Sequence, residues 1–319
     1  MGEIGTTPKS CKNAIEVRDL RKSFGKVRAV AGVNLTVRTG EVFALLGPNG
    51  AGKTTTVEIM EGLEQRDSGE VRLFGEDPAK KDPALKARIG IVAQETVADP
   101  FLTAIEMVEM IAGSYPRAKP ADDALALVGL TDKRRVRVGR LSGGQKRRLD
   151  VALALVGDPD LLFLDEPTTG FDPDARHEAW ELVRNLRTLG KTILLTTHYM
   201  DEAQQLADRV AVIADGHIIS EGTPDTIGGR AEASTKIRFR TLSSGLSMPD
   251  KLRQGLSQGS DGTFQLQSDD PVSTLHVLTG WALESGHKLE GLEVTRPSLE
   301  DTYRELIARS REASVTETA

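Results

Sequence analysis

The chain has 319 residues, 41 Lys and Arg against 47 Asp and Glu, a formal net charge of −6, and a composition 28% charged and 39% hydrophobic. That balance belongs to a globular protein with room for about two domains; it excludes a disordered chain, and its acidic excess speaks against a surface built for nucleic acid or an anionic membrane. A single cysteine, Cys11, excludes an intrachain disulfide framework and every multi-cysteine zinc pattern, and no apolar run approaches the roughly 18 residues that span a bilayer.

Residues 1–12 lack the basic start and apolar run of a secretory signal and read as a flexible tail. Gly2 to Thr6 fits a myristoylation pattern formally, but no polybasic segment follows it. From Ile15 to Leu46 short apolar and β-branched runs alternate with turn-forming residues, which predicts a β-rich opening that ends in a buried strand.

That strand runs directly into Gly47-Pro48-Asn49-Gly50-Ala51-Gly52-Lys53-Thr54, a G-x-x-x-x-G-K-[ST] phosphate loop, with Thr55 continuing the nucleotide-binding run into a helical segment. Glycines let the backbone turn its N–H groups onto a phosphate, and the helix start adds favourable partial charge. Lys53 reaches the terminal phosphates, and the Thr54 hydroxyl ligates Mg²⁺. Gly190-Lys191-Thr192 repeats the tripeptide without the first glycine, since Asn185 stands there, and reads as a turn into a strand.

Further apolar runs, RIGIVAQ, DLLFLDE, TILLTTH and RVAVIAD, are separated by helix-length segments, the signature of a parallel sheet covered by helices. In the second of these, Leu161 to Leu164 read as a buried strand ending in Asp165 and Glu166. Beside a phosphate loop, Asp165 is placed to hold Mg²⁺ and Glu166 to orient and deprotonate the attacking water. Asp201 and Glu202 fit the first turn of a helix, where the dipole favours negative charge. The Lys133–Arg137 and Lys146–Arg148 basic runs, without interleaved aromatics, read as a solvated, partner-facing surface. From about Gly228 the chain loosens to GGRAEASTK, a linker-like stretch. A small α+β unit follows, with strands near Lys236–Leu242, Thr263–Ser268 and Leu289–Val294 and helices near Pro271–Glu284 and Ser298–Arg309; Trp281 and the Leu299, Tyr303, Leu306, Ile307 stripe read as core. The expected domains are a nucleotide-binding unit over 13–228 and an accessory or regulatory unit over 229–319.

Leu141-Ser142-Gly143-Gly144-Gln145, ahead of Asp165, separates one class of phosphate-loop protein from the rest: over roughly Ile15 to Pro224 the chain resembles the ATP-binding cassette (ABC) ATPases. The resemblance makes Phe24 the aromatic that stacks on adenine, Gln94 the Q-loop glutamine, Asp172 the D-loop aspartate and His198 the switch histidine. It implies an α/β P-loop NTPase core with a β-rich N-terminal part and a helical subdomain. It also implies two copies closing head to tail around two ATP molecules, so that Ser142, Gly143, Gly144 and Gln145 of one face the phosphate loop of the other. Glu166, His198 and Gln94 are then catalytic, and Thr54, Gln94 and Asp165 surround Mg²⁺. Phe24 stands where Tyr is frequent and Phe171 where an aliphatic residue is common, changes that keep a competent site.

The exit RVAVIADGHIISEGTP and the tail TRPSLEDTYRELI resemble the drug-resistance ATPase subfamily typified by daunorubicin and bacitracin exporters. That resemblance implies a separate membrane permease, efflux of a drug or antibiotic, and a peripheral place on the cytoplasmic face of the membrane, with no nucleic acid as partner. The alternative is a permease-free cassette ATPase acting on a nucleic-acid or protein complex, for which the basic runs are the argument.

Overall fold

A computed structural model describes residues 12–93, 98–232, 234–241, 248–253, 255–259, 262–295 and 298–317. Cys11, the Gly2–Thr6 pattern and Gln94 lie outside the described residues. The chain divides after Pro224 into two units, each with a core of its own.

The first unit opens with β1 (Asn13–Phe24), β2 (Val27–Arg38), β3 (Val42–Leu46), α1 (Lys53–Glu61), β4 (Ser68–Leu73), α2 (Pro83–Lys86) and β5 (Ile89–Val92). It continues with α3 (Ala104–Ala112), α4 (Ala121–Leu127), α5 (Gly143–Leu155), β6 (Leu161–Asp165), α6 (Pro173–Thr188), β7 (Thr192–Thr197), α7 (Met200–Leu206), β8 (Arg209–Ala214) and β9 (His217–Gly222). β1 lies between β2 and β4 in an antiparallel sheet. There the alternation is clean: Val33, Leu35 and Val37 are buried while Asn34, Thr36 and Arg38 are exposed, as a sheet with one face on the core requires.

The main sheet has the order β5-β6-β7-β3-β8-β9, parallel except for β9 at one edge. Its inner strands are apolar throughout because both faces are covered: every residue of β3 and Leu161–Leu164 of β6 are buried. The register makes the site. β7 sits between β6 and β3, with Asp165 level with Thr196 and Leu46 level with Thr197. The three segments that follow these strands, beginning at Gly47, Glu166 and His198, therefore leave the sheet side by side at its carboxyl edge, where open α/β sheets bind ligands. Helices α3, α4 and α5 pack together as the helical subdomain.

The second unit contains β10 (Thr235–Thr241), α8 (Asp250–Arg253), β11 (Ser257–Gln258), β12 (Thr263–Ser268), α9 (Pro271–Glu284), β13 (Leu289–Thr295) and α10 (Leu299–Glu317). Its sheet order is β11-β12-β10-β13, all antiparallel. Ile237, Phe239, Phe264, Leu266, Leu278 and Trp281 form the core; the Phe239 and Phe264 rings, paired across β10 and β12, stack with centroids 5.6 Å apart. The boundary falls a few residues before the expected 228/229. At the start of the glycine-rich stretch Ile227 is buried and a Cβ on Gly228 would meet Thr302 Cγ2 at 2.5 Å, whereas Gly229 has open space around it. Phe239→Ala empties the centre of this second core, a loss of about 3–5 kcal/mol. The expected outcome in calorimetry is a lower unfolding transition for the second unit, with the ATP-induced upward shift of the first unit's transition retained.

Candidate functional site

The phosphate loop turns on glycines that no other residue replaces. Gly52 has φ 99°, and a Cβ there would stand 2.3 Å from the Ala29 carbonyl oxygen. It is the N-cap of α1 and brings no side chain to close the helix start, so the first-turn N–H groups are left for a ligand. A cleft of about 670 Å³ opens over this turn, lined by Asn49, Gly50, Gly52, Lys53, Thr54, Thr55 and Glu166, with Arg28 and Asp215 as contributors the sequence reading missed. Gly47 and Ala51 are held from beneath, by Gly47 N–H donating to the Thr197 carbonyl at 3.4 Å and Ala51 N–H to that of Pro48 at 3.2 Å. Phe24, on β1, is 47% exposed with the Lys22 ammonium 4.9 Å from its ring centre. Its cross-strand partner is Val27, which lines the cleft.

Lys53 is only 5% exposed, and its Nζ donates to the carbonyls of Gly47 at 2.9 Å and Pro48 at 3.2 Å. Burial lowers its pKa; the Glu166 and Asp165 carboxylates work against that. Glu166 Oε1 lies 3.7 Å from Lys53 Nζ and 3.2 Å from His198 Nδ1, and Thr169 Oγ1 donates to Oε2 at 3.1 Å. Because an ionised carboxylate only accepts, the His198 imidazole carries its proton on Nδ1 in this contact. Burial alone would raise the Glu166 carboxyl, but hydrogen bonds from His198 and Thr169 and the charges of His198 and Lys53 outweigh it and hold the group below the ordinary glutamate range. Thr196 Oγ1 joins the pair of acids by donating to Asp165 Oδ1 and accepting the Glu166 N–H at 3.0 Å. Glu166 itself has φ 44°, in the left-handed region that non-glycine residues seldom adopt.

The signature residues stand elsewhere. Ser142 caps α5 in a reciprocal box: its Oγ accepts from Gln145 N–H at 3.2 Å, and Gln145 Oε1 accepts from Ser142 N–H at 3.0 Å. Ser142, Gly143, Gly144 and Asp172 line a second open cleft of about 650 Å³, with Gln145 not among its lining residues. Asp172 is the N-cap of α6, accepting from Ala175 N–H at 2.8 Å. The predicted residues thus form two groups: the phosphate loop with Asp165, Glu166 and His198, and the signature with the D-loop aspartate. The two residues expected to ligate Mg²⁺ through their side chains are found with Thr54 lining the phosphate cleft and Asp165 at the end of β6. Among the described residues no group of three His, Cys, Asp or Glu side chains could hold a metal ion.

One charged residue departs from its sequence reading, and a second keeps its expected place but is buried there. Arg147, taken with Lys146 and Arg148 as solvated surface, is buried, and its guanidinium donates to the carbonyls of Ala93, Asp165 and Pro167. Glu202 does lie in the first turn of α7, but it is fully buried and accepts from Thr168 Oγ1 at 2.9 Å, so it ties α7 to the turn after Glu166. Neither could be found in the sequence, where a charge in a helix run looks the same whichever way it faces.

Glu61, at the end of α1, is pushed up to about 8 by burial and by the Asp165 and Glu58 carboxylates. A carboxyl protonated more readily in the folded state makes stability fall as pH rises from its unfolded value of 4.5, with the loss complete above about 8. Glu61→Gln is expected to melt several degrees above the parent at about pH 8.5, the difference vanishing near about pH 4.5, as read by thermal unfolding without divalent cation.

Residues 30–169 match the family described as "ABC transporter", and residues 235–298 match "ABC transporter domain-containing protein-like, C-terminal domain". The daunorubicin resistance ATP-binding protein DrrA2 of Streptomyces coeruleorubidus is 36% identical over 312 residues, 94% of this chain and 96% of that protein. The Nod factor export ATP-binding protein I of Burkholderia lata is 45% identical over 218 residues, 67% of this chain and 72% of that protein. Among solved structures, a dimeric ATP-binding cassette in a post-hydrolysis state, bound to ADP and phosphate, superposes with a TM-score of 0.59 at 27% identity over 66% of this chain and 98% of that one. A phosphate loop, an acid pair and a switch histidine meeting at one sheet edge, with a signature helix beside them and a relative alike along nearly its whole length, place the chain in the family: it belongs to the ATP-hydrolysing, ATP-binding subunits of ABC transporters.

Proposed function

We propose that the chain works as a head-to-tail pair on the cytoplasmic face of the membrane and drives efflux of a drug or antibiotic through a separate permease. The observation that carries the pairing is the division of the site. The phosphate cleft and the signature cleft are separate surfaces of one chain, so a second copy supplies to each phosphate loop the signature it lacks. The dimeric cassette among the structural relatives supports this reading.

Thr54 and Asp165, with Gln94 as the sequence assigns it, would hold Mg²⁺, which would supply charge neutralisation on the phosphates of ATP. Lys53 binds the terminal phosphates as a buried cation, and Phe24 offers its ring face to adenine. The Glu166 carboxylate, kept ionised by His198, Thr169 and Lys53, orients the attacking water and takes its proton. His198, fixed by its contact with Glu166, presents its remaining ring nitrogen to the transferring phosphoryl group. Across the pair, Ser142 and the Gly143 and Gly144 N–H groups at the start of α5 clamp the γ-phosphate held by the other copy.

Among the described residues no helix is long and apolar enough to cross a membrane, and the reading assigns the translocation path to a separate permease. An apolar groove of about 360 Å³, lined by Ile91, Ala98, Met107, Met110 and Ile111 on either side of residues 94–97, suits a short permease helix. Drug efflux is supported by the names of DrrA2 and of the daunorubicin/doxorubicin resistance ATP-binding protein DrrA of Streptomyces peucetius, 45% identical over 215 residues. The permease-free alternative loses part of its argument, because Arg147 is buried and Arg134 is paired with Asp122 at 2.9 Å.

Glu166→Gln keeps the binding groups and removes the base, so it is expected to bind ATP, lose turnover and run as a dimer in ATP; a monomer at saturating ATP on size-exclusion chromatography overturns the pairing. For the transport reading, the tagged chain is captured from detergent-solubilised native membranes. A multi-helix membrane protein in the eluate, with drug-dependent ATPase activity, is expected; ribosomes or DNA in its place overturn it.

A further inference from the structure

The geometry points to Arg147 as a positioning residue for hydrolysis, one that holds the turn around Glu166 and ties it to the signature helix of the same chain. The inference rests on Glu166 as the hydrolytic base. Arg147 lies on α5, just after the Ser142–Gln145 cap, and is 8% exposed. Its guanidinium spreads over three segments. One terminal nitrogen donates to the Asp165 carbonyl at 2.7 Å, the other to the Ala93 carbonyl, and Nε to the Pro167 carbonyl at 3.4 Å.

Asp165 and Pro167 bracket Glu166, whose backbone stands in the left-handed region. On the far side the Glu166 N–H is held by Thr196, through its carbonyl at 3.2 Å and its hydroxyl at 3.0 Å. The strained turn is therefore gripped between β7 and the signature helix, and strain of this kind persists only where the surroundings over-determine it. Only a planar fork of donors reaches carbonyls on separate segments at once; an ammonium is a point donor on a flexible stem. The third carbonyl, of Ala93, is the last described residue before Gln94, so the same side chain also anchors the entry to the Q-loop.

A rigid helix carries the rest. The first residues of α5 form the signature surface, and Arg147 is about one turn further along the same helix. Movement of that helix moves the carbonyls on both sides of the base. Arg147 lines neither the phosphate cleft nor the signature cleft, and so acts on the rate of the chemical step and leaves ATP binding alone.

The test compares Arg147→Met and Arg147→Lys in the full chain with the parent and with Glu166→Gln, measuring ATP affinity by calorimetry, steady-state kcat and KM, and thermal unfolding. Expected for Arg147→Met is an ATP affinity and KM within about twofold of the parent and a kcat lower by on the order of 10- to 100-fold, with Arg147→Lys intermediate. Parental kcat in Arg147→Met, or a raised KM with kcat kept, overturns the inference. If Arg147→Met does not fold, Arg147→Lys decides, a parental kcat again overturning it. Full turnover in Glu166→Gln instead overturns the reading of the base, and loss of turnover in Glu166→Gln beside parental Arg147 variants overturns the role of Arg147 alone.

Discussion

A buried ammonium faces a carboxylate across 3.7 Å at the carboxyl edge of the main sheet, Lys53 from the phosphate loop and Glu166 from the end of β6. Each makes the other tolerable, since an isolated charge of either sign is expensive away from water. The arrangement of the strands follows from that need. β3 and β6 must end at one level with β7 between them, so that Thr196, Thr197 and His198 fill the gap and supply hydrogen bonds to both acids and to the loop. A shift of one residue in either parallel pairing would turn these side chains to the other face of the sheet.

Much of this was legible in the sequence because phosphate chemistry demands particular residues at fixed offsets. The glycines of 47–52, Lys53 and the apolar run into Asp165 and Glu166 announce themselves, and the structure brings them to one edge together with His198. The signature was legible as a motif, and its separation from the phosphate loop emerges only in three dimensions, because nothing in a linear order says which cleft a segment faces. The sequence hid what depends on burial. Arg147 sits inside a run of basic residues and Glu202 beside another acid, yet both point inward and hold backbone or hydroxyl groups around the hydrolytic turn. Burial is hidden for the linker-like stretch too: glycines that look loose also permit close approach, and Gly228 uses that freedom to lie against Thr302.

The turn after β6 is held from several directions. Arg147 grips it from α5, Thr196 from β7, and Glu202 from α7 through Thr168. Further on, Arg176 of α6 reaches across to Asp201 at 3.2 Å and lies over the Tyr199 ring beside His198. The residues that cap α6 and α5 line the open signature cleft, while the bodies of these helices are bolted to the segments around Glu166 and His198. Such a framework passes displacement through stiff helices and short polar contacts instead of through loops.

The crowding at Gly52 has a consequence for the nucleotide as a whole. The Ala29 carbonyl belongs to β2, the strand hairpinned to the one that ends in Phe24, and it rests on the phosphate loop with no space for even a methyl group between them. The Phe24 ring and the phosphate loop are thus parts of one solid gauge, with a set interval from ring to loop. A nucleotide is measured by its span, from base through ribose to the last phosphate, and a side chain wedged in at position 52 would lengthen the gauge at both ends at once.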